Sequence, residues 1–265
     1  MKNNLNIIII GLILTDIKET INSINQLMEN NKIKIIVVSP ENIQNKIKLQ
    51  FKNKEICYAH DKEKGVYKAM NIGLSLTKSQ NSFNWFLNSG DFAVSRNLKI
   101  FLNFNKEEYL LSSDIIFFIN NKKIDLVSIL YSFLNYFGTD DINIIKIFML
   151  ILVFPTSHQN IIIKNNIHNK FDVNYKYSSD FKLILKIISG KNINVLIKKG
   201  EIAINSIGGL TDLNRFKTIK ERRFIAQKHF RRLDCIIIYE ISFLIRIILM
   251  LIKNSIKNII SLFKK

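Results

Sequence analysis

Residues 5–13 read Leu-Asn-Ile-Ile-Ile-Ile-Gly-Leu-Ile. A nearly unbroken β-branched run has no wet side, so it fits a strand covered on both faces, as in a parallel sheet. Thr15 and Asp16 follow as a plausible helix cap. Ile17, Ile21, Ile24 and Leu27 then recur at helical spacing through Met28. Ile33 to Val38 is a second run of the buried-strand kind. A β-α-β order this early in the chain calls for a right-handed crossover and an α/β fold: a mixed, mostly parallel sheet flanked by helices.

The same reading continues downstream. Ile56 to His60 predicts a third strand, Val66 to Leu76 a helix, and Phe83 to Leu87 a strand that breaks off in Asn88-Ser89-Gly90-Asp91. Open α/β sheets bind ligands beyond the carboxyl ends of their strands, so this polar turn is where chemistry is expected. Residues 92–125 read as mixed strands and turns. The apolar stretches Leu126–Phe137 and Ile142–Phe154 are short for a bilayer span and read as buried or interfacial helices. Asn160 to Ile163 predicts a strand, Asp180 to Ile188 a helix, and Ser206 to Asp212 a glycine-rich turn.

Charge and cysteine content narrow the class. With 39 Lys and Arg against 21 Asp and Glu the chain carries +18, which favours anionic partners: nucleic acid, an anionic membrane surface or a nucleotide diphosphate. Lys, Asn and Ile are abundant throughout, so a general compositional bias is an equal source of the excess. No nucleic-acid-binding motif accompanies the charge, and nucleic acid is not an expected partner. Cys57 and Cys235 stand far apart and the four histidines lack ligand spacing, so neither a disulfide framework nor a zinc site is expected.

Three groups of residues carry candidate chemistry. Asp91, on a tight turn after a buried strand, suits a divalent metal bound to a diphosphate; the plainer reading is a turn aspartate. Asp61, Glu63 and Gly65 precede a helix. The acids can accept hydrogen bonds from a base or ribose, and the glycine lets backbone approach a ligand; the plainer reading is a solvated loop. Asp180 opens a helix, either as an N-cap or as a carboxylate facing a substrate.

Together these segments resemble family 2 glycosyltransferases of the GT-A fold, in the branch found in bacterial polysaccharide clusters. That family carries Ser-Glu-x-Asp-x-Gly-Ile-Tyr-Asp-Ala-Met-Asn-Lys-Gly, then Phe-Leu-Asn-Ser-Gly-Asp about twenty residues later. The matching residues are Asp61, Glu63, Gly65-Val66-Tyr67, Ala69-Met70-Asn71, Gly73 and Phe86 through Asp91. A His-Gln pair (His158-Gln159), a Phe171-Asp172…Tyr175…Asp180 series and Gly208-Gly209 extend the likeness over residues 5–212. The resemblance implies a nucleotide-sugar donor, UDP-linked by default, held by Asp61, Glu63, Gly65, Asn71, Asn88 and Ser89. It implies Mg2+ or Mn2+ at Asp91 and Asp180 as the general base of an inverting, hexosyltransferase-like reaction. It places His158 and Gln159 near acceptor or diphosphate; a purely structural histidine is the equal alternative. The chain departs from the pattern in three places. No aspartate follows the second strand, which ends in Val38-Ser39-Pro40-Glu41. Leu14-Thr15-Asp16 stands where a Thr-x-Asn-like contact is usual. The acids Asp61 and Glu63 are swapped. A non-catalytic nucleotide-sugar-binding relative is therefore the second expectation.

Residues 213–265 lie outside the resemblance and read as a separate C-terminal amphipathic helical extension. Arg and Lys crowd 215–232; 233–263 are almost wholly aliphatic, broken by Glu240, Arg246, Lys253 and Lys257. Lying in a membrane interface, packing in a core or oligomer, and spanning the bilayer are all open to it; the charges Glu240 and Arg246 weigh against a span. The expected setting is cytoplasmic, at the inner face of the plasma membrane, with a glycan or lipid-linked acceptor.

Overall fold

The computed structural model describes residues 4–25, 33–51, 56–61, 65–77, 82–94, 96–98, 114–119, 157–166, 168–190, 193–205, 213–229, 240 and 244. Glu63, the apolar stretches within 126–154, Gly208-Gly209 and most of the C-terminal extension lie outside them. Seven described strands make one sheet in the order β3-β2-β1-β4-β7-β6-β8. They are β1 (Asn4–Ile10), β2 (Ile33–Ser39), β3 (Ile56–His60), β4 (Ser82–Asn88), β6 (Ile115–Ile119), β7 (Ile161–Lys164) and β8 (Val195–Lys199). β5 (Phe92–Ala93) and β9 (Ala203–Ile204) pair separately. β7 runs antiparallel to both β4 and β6, while every other pairing in the large sheet is parallel.

The β-branched strands are buried on both faces because helices cover both. Ile7, Ile9, Val37 and Trp85 pack with Ile17, Ile21 and Ile24 of α1 (Leu14–Ile24) and Ile47 of α2 (Glu41–Gln50). Ile8, Ile10, Val38 and Phe86 face the other way. They meet Met70 of α3 (Val66–Ser75), Phe181 and Ile184 of α4 (Ser179–Ile188) and Ile225 of α5 (Arg215–His229). Alternate side chains of one strand thus feed two cores, as the period-two pleat requires. Gly73 lets α3 lie close on the sheet: a Cβ there would come within 2.4 Å of Ile8 Cγ2.

Element boundaries shift where tertiary contacts decide them. β1 stops at Ile10 rather than running to residue 13, because the chain leaves the sheet at Gly11. α1 begins at Leu14, so Thr15 and Asp16 sit in its first turn, and Ile13, the N-cap residue, makes no side-chain cap bond. α2 and β8 carry no strong signal in the sequence: α2 is Asn-, Gln- and Lys-rich, and β8 follows a short polar link. Among the described residues no helix is long and apolar enough to cross a membrane.

Candidate functional site

The carboxyl ends of β1, β2 and β3 open into a cleft of about 670 Å³. Asp61, Gly65, Tyr67 and Lys68 line one side of it, and Tyr175 and Lys176 the other. The strand order doubles back next to this point, since β1 lies between β2 and β4, and such a switch point leaves a crevice in an α/β sheet. Asp61 follows β3 directly, its N–H bonded to the Ser39 carbonyl at 3.1 Å. Gly65 precedes α3 at φ +142°, a conformation that side chains avoid. Pro40, the residue after β2, also borders the cleft.

Beyond β4 the turn at residues 88–91 is tightly held. Ser89 N–H donates to the Ile10 carbonyl at 2.7 Å, and Gly90 N–H to Thr20 Oγ1 of α1 at 2.9 Å. Gly90 has φ +89°, the left-handed region that admits the sharp reversal. The reversal turns Asp91 inward: its side chain is 1% exposed, and Oδ2 accepts from Asn88 N–H at 2.9 Å and from Gln159 Nε2 at 3.1 Å.

The antiparallel course of β7 explains how Gln159 arrives there. A reversed strand begins at the edge where its parallel neighbours end, so the 3-10 turn His158–Asn160 just ahead of β7 sits beside the end of β4. Trp85 Nε1 donates to the Gln159 carbonyl at 2.6 Å and Asn160 Nδ2 to the Ala203 carbonyl at 3.0 Å, which fix the turn. His158, next to Gln159, points its Nδ1 at Asp180 Oδ2 at 3.4 Å. Neighbouring residues therefore hold two different buried carboxylates.

Asp180 lies in the first turn of α4, where the helix dipole favours an anion. Its Oδ1 accepts from Tyr67 OH at 3.0 Å and Phe181 N–H at 2.8 Å. Burial pushes its pKa up, but the His158 hydrogen bond and the charges of His158 and Arg222 outweigh that, and the carboxyl is held below its ordinary value. Burial, followed by the Asp180 charge, drives the Tyr67 phenol well above its ordinary pKa, so Tyr67 stays protonated and donates.

Asn71 takes a different place. Its side-chain amide forms a two-way clasp with the Phe171 main chain, Nδ2 to O and N to Oδ1, both 2.8 Å. Phe171 in turn stacks on Tyr67 with centroids 5.6 Å apart and meets Phe86 edge-on at 5.0 Å. The structure thus brings Asp61 and Gly65 to the cleft, Asn88, Ser89 and Asp91 to the adjoining turn, and His158 and Gln159 between Asp91 and Asp180. Tyr67, Glu221 and Arg222 carried no assigned role in the sequence. Tyr67's position two residues after Gly65, in the first turn of α3, was the available signal. Glu221 on α5 accepts the N–H groups of Lys176 and Tyr177 at 2.9 and 2.7 Å, which fixes the cleft wall ahead of Asp180.

The donor set at Asp91 is one hard carboxylate. Among the described residues no group of three or more His, Cys, Asp or Glu side chains could hold a metal. These residues do not make a standing metal site. One carboxylate would serve a Mg2+ or Mn2+ ion only with the remaining oxygens drawn from a diphosphate and water.

No protein-family model matches the chain, and no curated protein matches it. Solved structures do. Residues 1–349 of S. aureus TarS align with a TM-score of 0.58 at 15% identity, covering 90% of this chain and 71% of that one. The same fragment in complex with UDP gives 0.53 at 15% identity, over 84% and 65%. The chain spans 39% of a longer TarS structure. Glucosyl-3-phosphoglycerate synthase from Mycobacterium tuberculosis, in complex with Mn2+, UDP and phosphoglyceric acid, gives 0.53 at 10% identity, over 84% and 78%. At such identities the likeness is one of architecture, and the chain has the GT-A glycosyltransferase fold.

Proposed function

We propose that this protein is an inverting, hexosyltransferase-like glycosyltransferase of family 2, in its polysaccharide-biosynthesis branch. It moves a sugar from a nucleotide-sugar donor to a hydroxyl of a glycan or lipid-linked acceptor in surface polysaccharide or glycolipid synthesis. The observation that carries this reading is the pair of buried carboxylates joined through His158-Gln159, with Tyr67 linking the cleft wall to Asp180. UDP in TarS, and UDP with Mn2+ in the mycobacterial synthase, support a UDP-sugar donor.

In this reading the nucleoside lies in the cleft against Asp61, Glu63 and Gly65, and the diphosphate reaches toward Asn88, Ser89 and Asp91. A divalent ion, when bound, offsets the charge that develops on the leaving diphosphate. Asp180 accepts the proton of the acceptor hydroxyl as its oxygen bonds to the anomeric carbon; the bond from that carbon to the diphosphate oxygen breaks, and the nucleoside diphosphate leaves with the electron pair. Tyr67, Phe181 N–H and His158 aim the carboxylate and keep it ionised. The same partners lower its basicity, so departure of the diphosphate, rather than base strength, drives the transfer. Residues 1–212 carry the transferase site, and 213–265, whose first helix α5 packs on that unit through Ile225 and Ala226, associate with the cytoplasmic leaflet.

The test is a panel of nucleotide sugars with Mg2+ or Mn2+, read as donor hydrolysis and as a rise in melting temperature. Turnover of one donor, abolished in Asp180→Asn and weakened in Asp91→Ala, supports the proposal; no response to any donor refutes it. A second reading, a non-catalytic donor-binding relative, is favoured by the end of the second strand, where Ser39-Pro40 brings no aspartate to the cleft that Pro40 borders. Tight donor binding without turnover, once an acceptor is supplied, would decide for it.

A further inference from the structure

Helix α5 has two unlike sides. Thr218, Ile225 and Ala226 are buried, and Glu221 and Arg222 reach the segment before and within α4. The opposite arc, with Leu213 just ahead of it, presents Phe216, Lys217, Lys220, Phe224 and Lys228, all exposed. Their spacing puts them on one side of the helix, an arc that Gln227 shares, and Glu240 reaches its edge, accepting from Arg223 Nε and Gln227 Nε2, both at 2.9 Å. Over residues 215–229 six Lys and Arg oppose one Glu, 6 − 1 = +5.

Phe216 is 47% and Phe224 49% exposed, and Leu213 76%. Lys220 Nζ lies 4.5 Å over the Phe216 ring and Lys228 Nζ 4.3 Å over Phe224. Bare rings alternating with ammonium groups suit a phospholipid interface. Rings and leucine enter the headgroup–acyl boundary while the lysines stay at the phosphates. A nucleic acid would satisfy the lysines and leave Leu213 without a partner. The arc also has a position relative to the cleft: the Phe224 ring is 6.5 Å from that of Tyr175, which lines the cleft.

We propose that this face of α5 docks the protein on an anionic phospholipid bilayer, with the cleft opening beside the lipid surface. The inference deepens the glycosyltransferase reading, on which it rests for its purpose: it names the surface that would present a lipid-linked acceptor. It also assigns docking to a folded helix face rather than to the aliphatic residues beyond it.

The test is flotation of the full chain with vesicles of phosphatidylcholine alone or mixed with phosphatidylglycerol. One variant carries Phe216→Ser and Phe224→Ser, another Lys217→Glu, Lys220→Glu and Lys228→Glu. The wild type should bind the anionic vesicles, and each variant should lose tenfold or more in affinity, about the loss that removing a few interfacial contacts gives. The rise in melting temperature with UDP should be unchanged in the lysine variant, whose side chains do not touch the cleft wall. Three outcomes would overturn the proposal: variants that bind like the wild type, equal binding to neutral vesicles, or loss only in the lysine variant with single-stranded RNA competing. If the variants lose vesicle binding while UDP never raises the melting temperature of any form, docking stands and the donor reading falls.

Discussion

Asp91 and Asp180 are both buried aspartates, yet they are held by chemistry of opposite kinds. Asp91 is gripped largely from nearby, by Asn88 N–H within its own turn, and then by the neutral amide of Gln159. Asp180 is reached from far along the chain, by Tyr67 from 113 residues away and by the ring of His158. A carboxylate set by a local turn is a fixed part of the scaffold that can face a metal–diphosphate. One set by a ring, a phenol and a helix terminus has a protonation state tuned by tertiary structure. That division suits one group for electrostatics and the other for proton transfer.

The comparison breaks most sharply at Asp180. Replacing it with Asn keeps the shape but removes the proton acceptor, and turnover should fall on the order of 10²–10⁴-fold with donor affinity nearly unchanged, as steady-state rates beside UDP titration will show. Equal loss of donor binding would mean the two carboxylates do not divide the labour. Asp91→Asn should act in reverse. UDP affinity in Mn2+ should drop roughly tenfold, about the scale of one charge-assisted contact, while affinity in chelator stays put. A wild type whose UDP affinity ignores Mn2+ removes the metal from Asp91.

Asn71→Ala tests the joint between the regions, because the Asn71–Phe171 clasp ties α3 to the segment that leads into Asp180. Losing two main-chain hydrogen bonds should cost about 2–4 kcal/mol in urea unfolding. A smaller change, with turnover intact, would mean Tyr67 and Asp180 are aligned without it. The subtlest effect is expected from His158→Ala. It removes the hydrogen bond and charge that oppose burial, so the Asp180 pKa rises and the acid limb of kcat/KM moves to higher pH. The linkage has the matching sign. A depressed carboxylate contributes stability above its unfolded pKa and loses it as pH falls through the folded one, so the variant should lose less stability on acidification.

The same contrast explains what was legible in the sequence. β1 and β2 could be read because burial on both faces leaves β-branched runs, and the turn at Asp91 because its residues are consecutive. α2 escaped notice since it buries little beyond Gln44 and Ile47 and otherwise looks like a polar loop. Tyr67 was visible as a letter in a motif, but its bond to Asp180 depends on how α3 and α4 share one face of the sheet. The Glu221 clamp lies in a stretch whose charge pattern suggested a separate extension, because a single acid among basic residues says nothing of two waiting N–H groups.

The reversed course of β7 also bears on time. Gln159 meets Asp91 across 68 residues of chain and β4 meets β1 across 78, whereas β1 to β2 and β2 to β3 close over 33 − 5 = 28 and 56 − 35 = 21. Loop closure of that length is slow compared with adjacent β-α-β docking. The turn at Asp91, which rests on β1 and α1, and its Gln159 contact should thus both form after the β1–β3 unit, and completion of the site becomes a late event. A chain halted before β7 would have the side of the cleft that Asp61 and Gly65 line but neither its Tyr175 wall nor Asp180, and in the full chain pulse-labelled hydrogen exchange should find the Trp85–Gln159 contact among the last to gain protection.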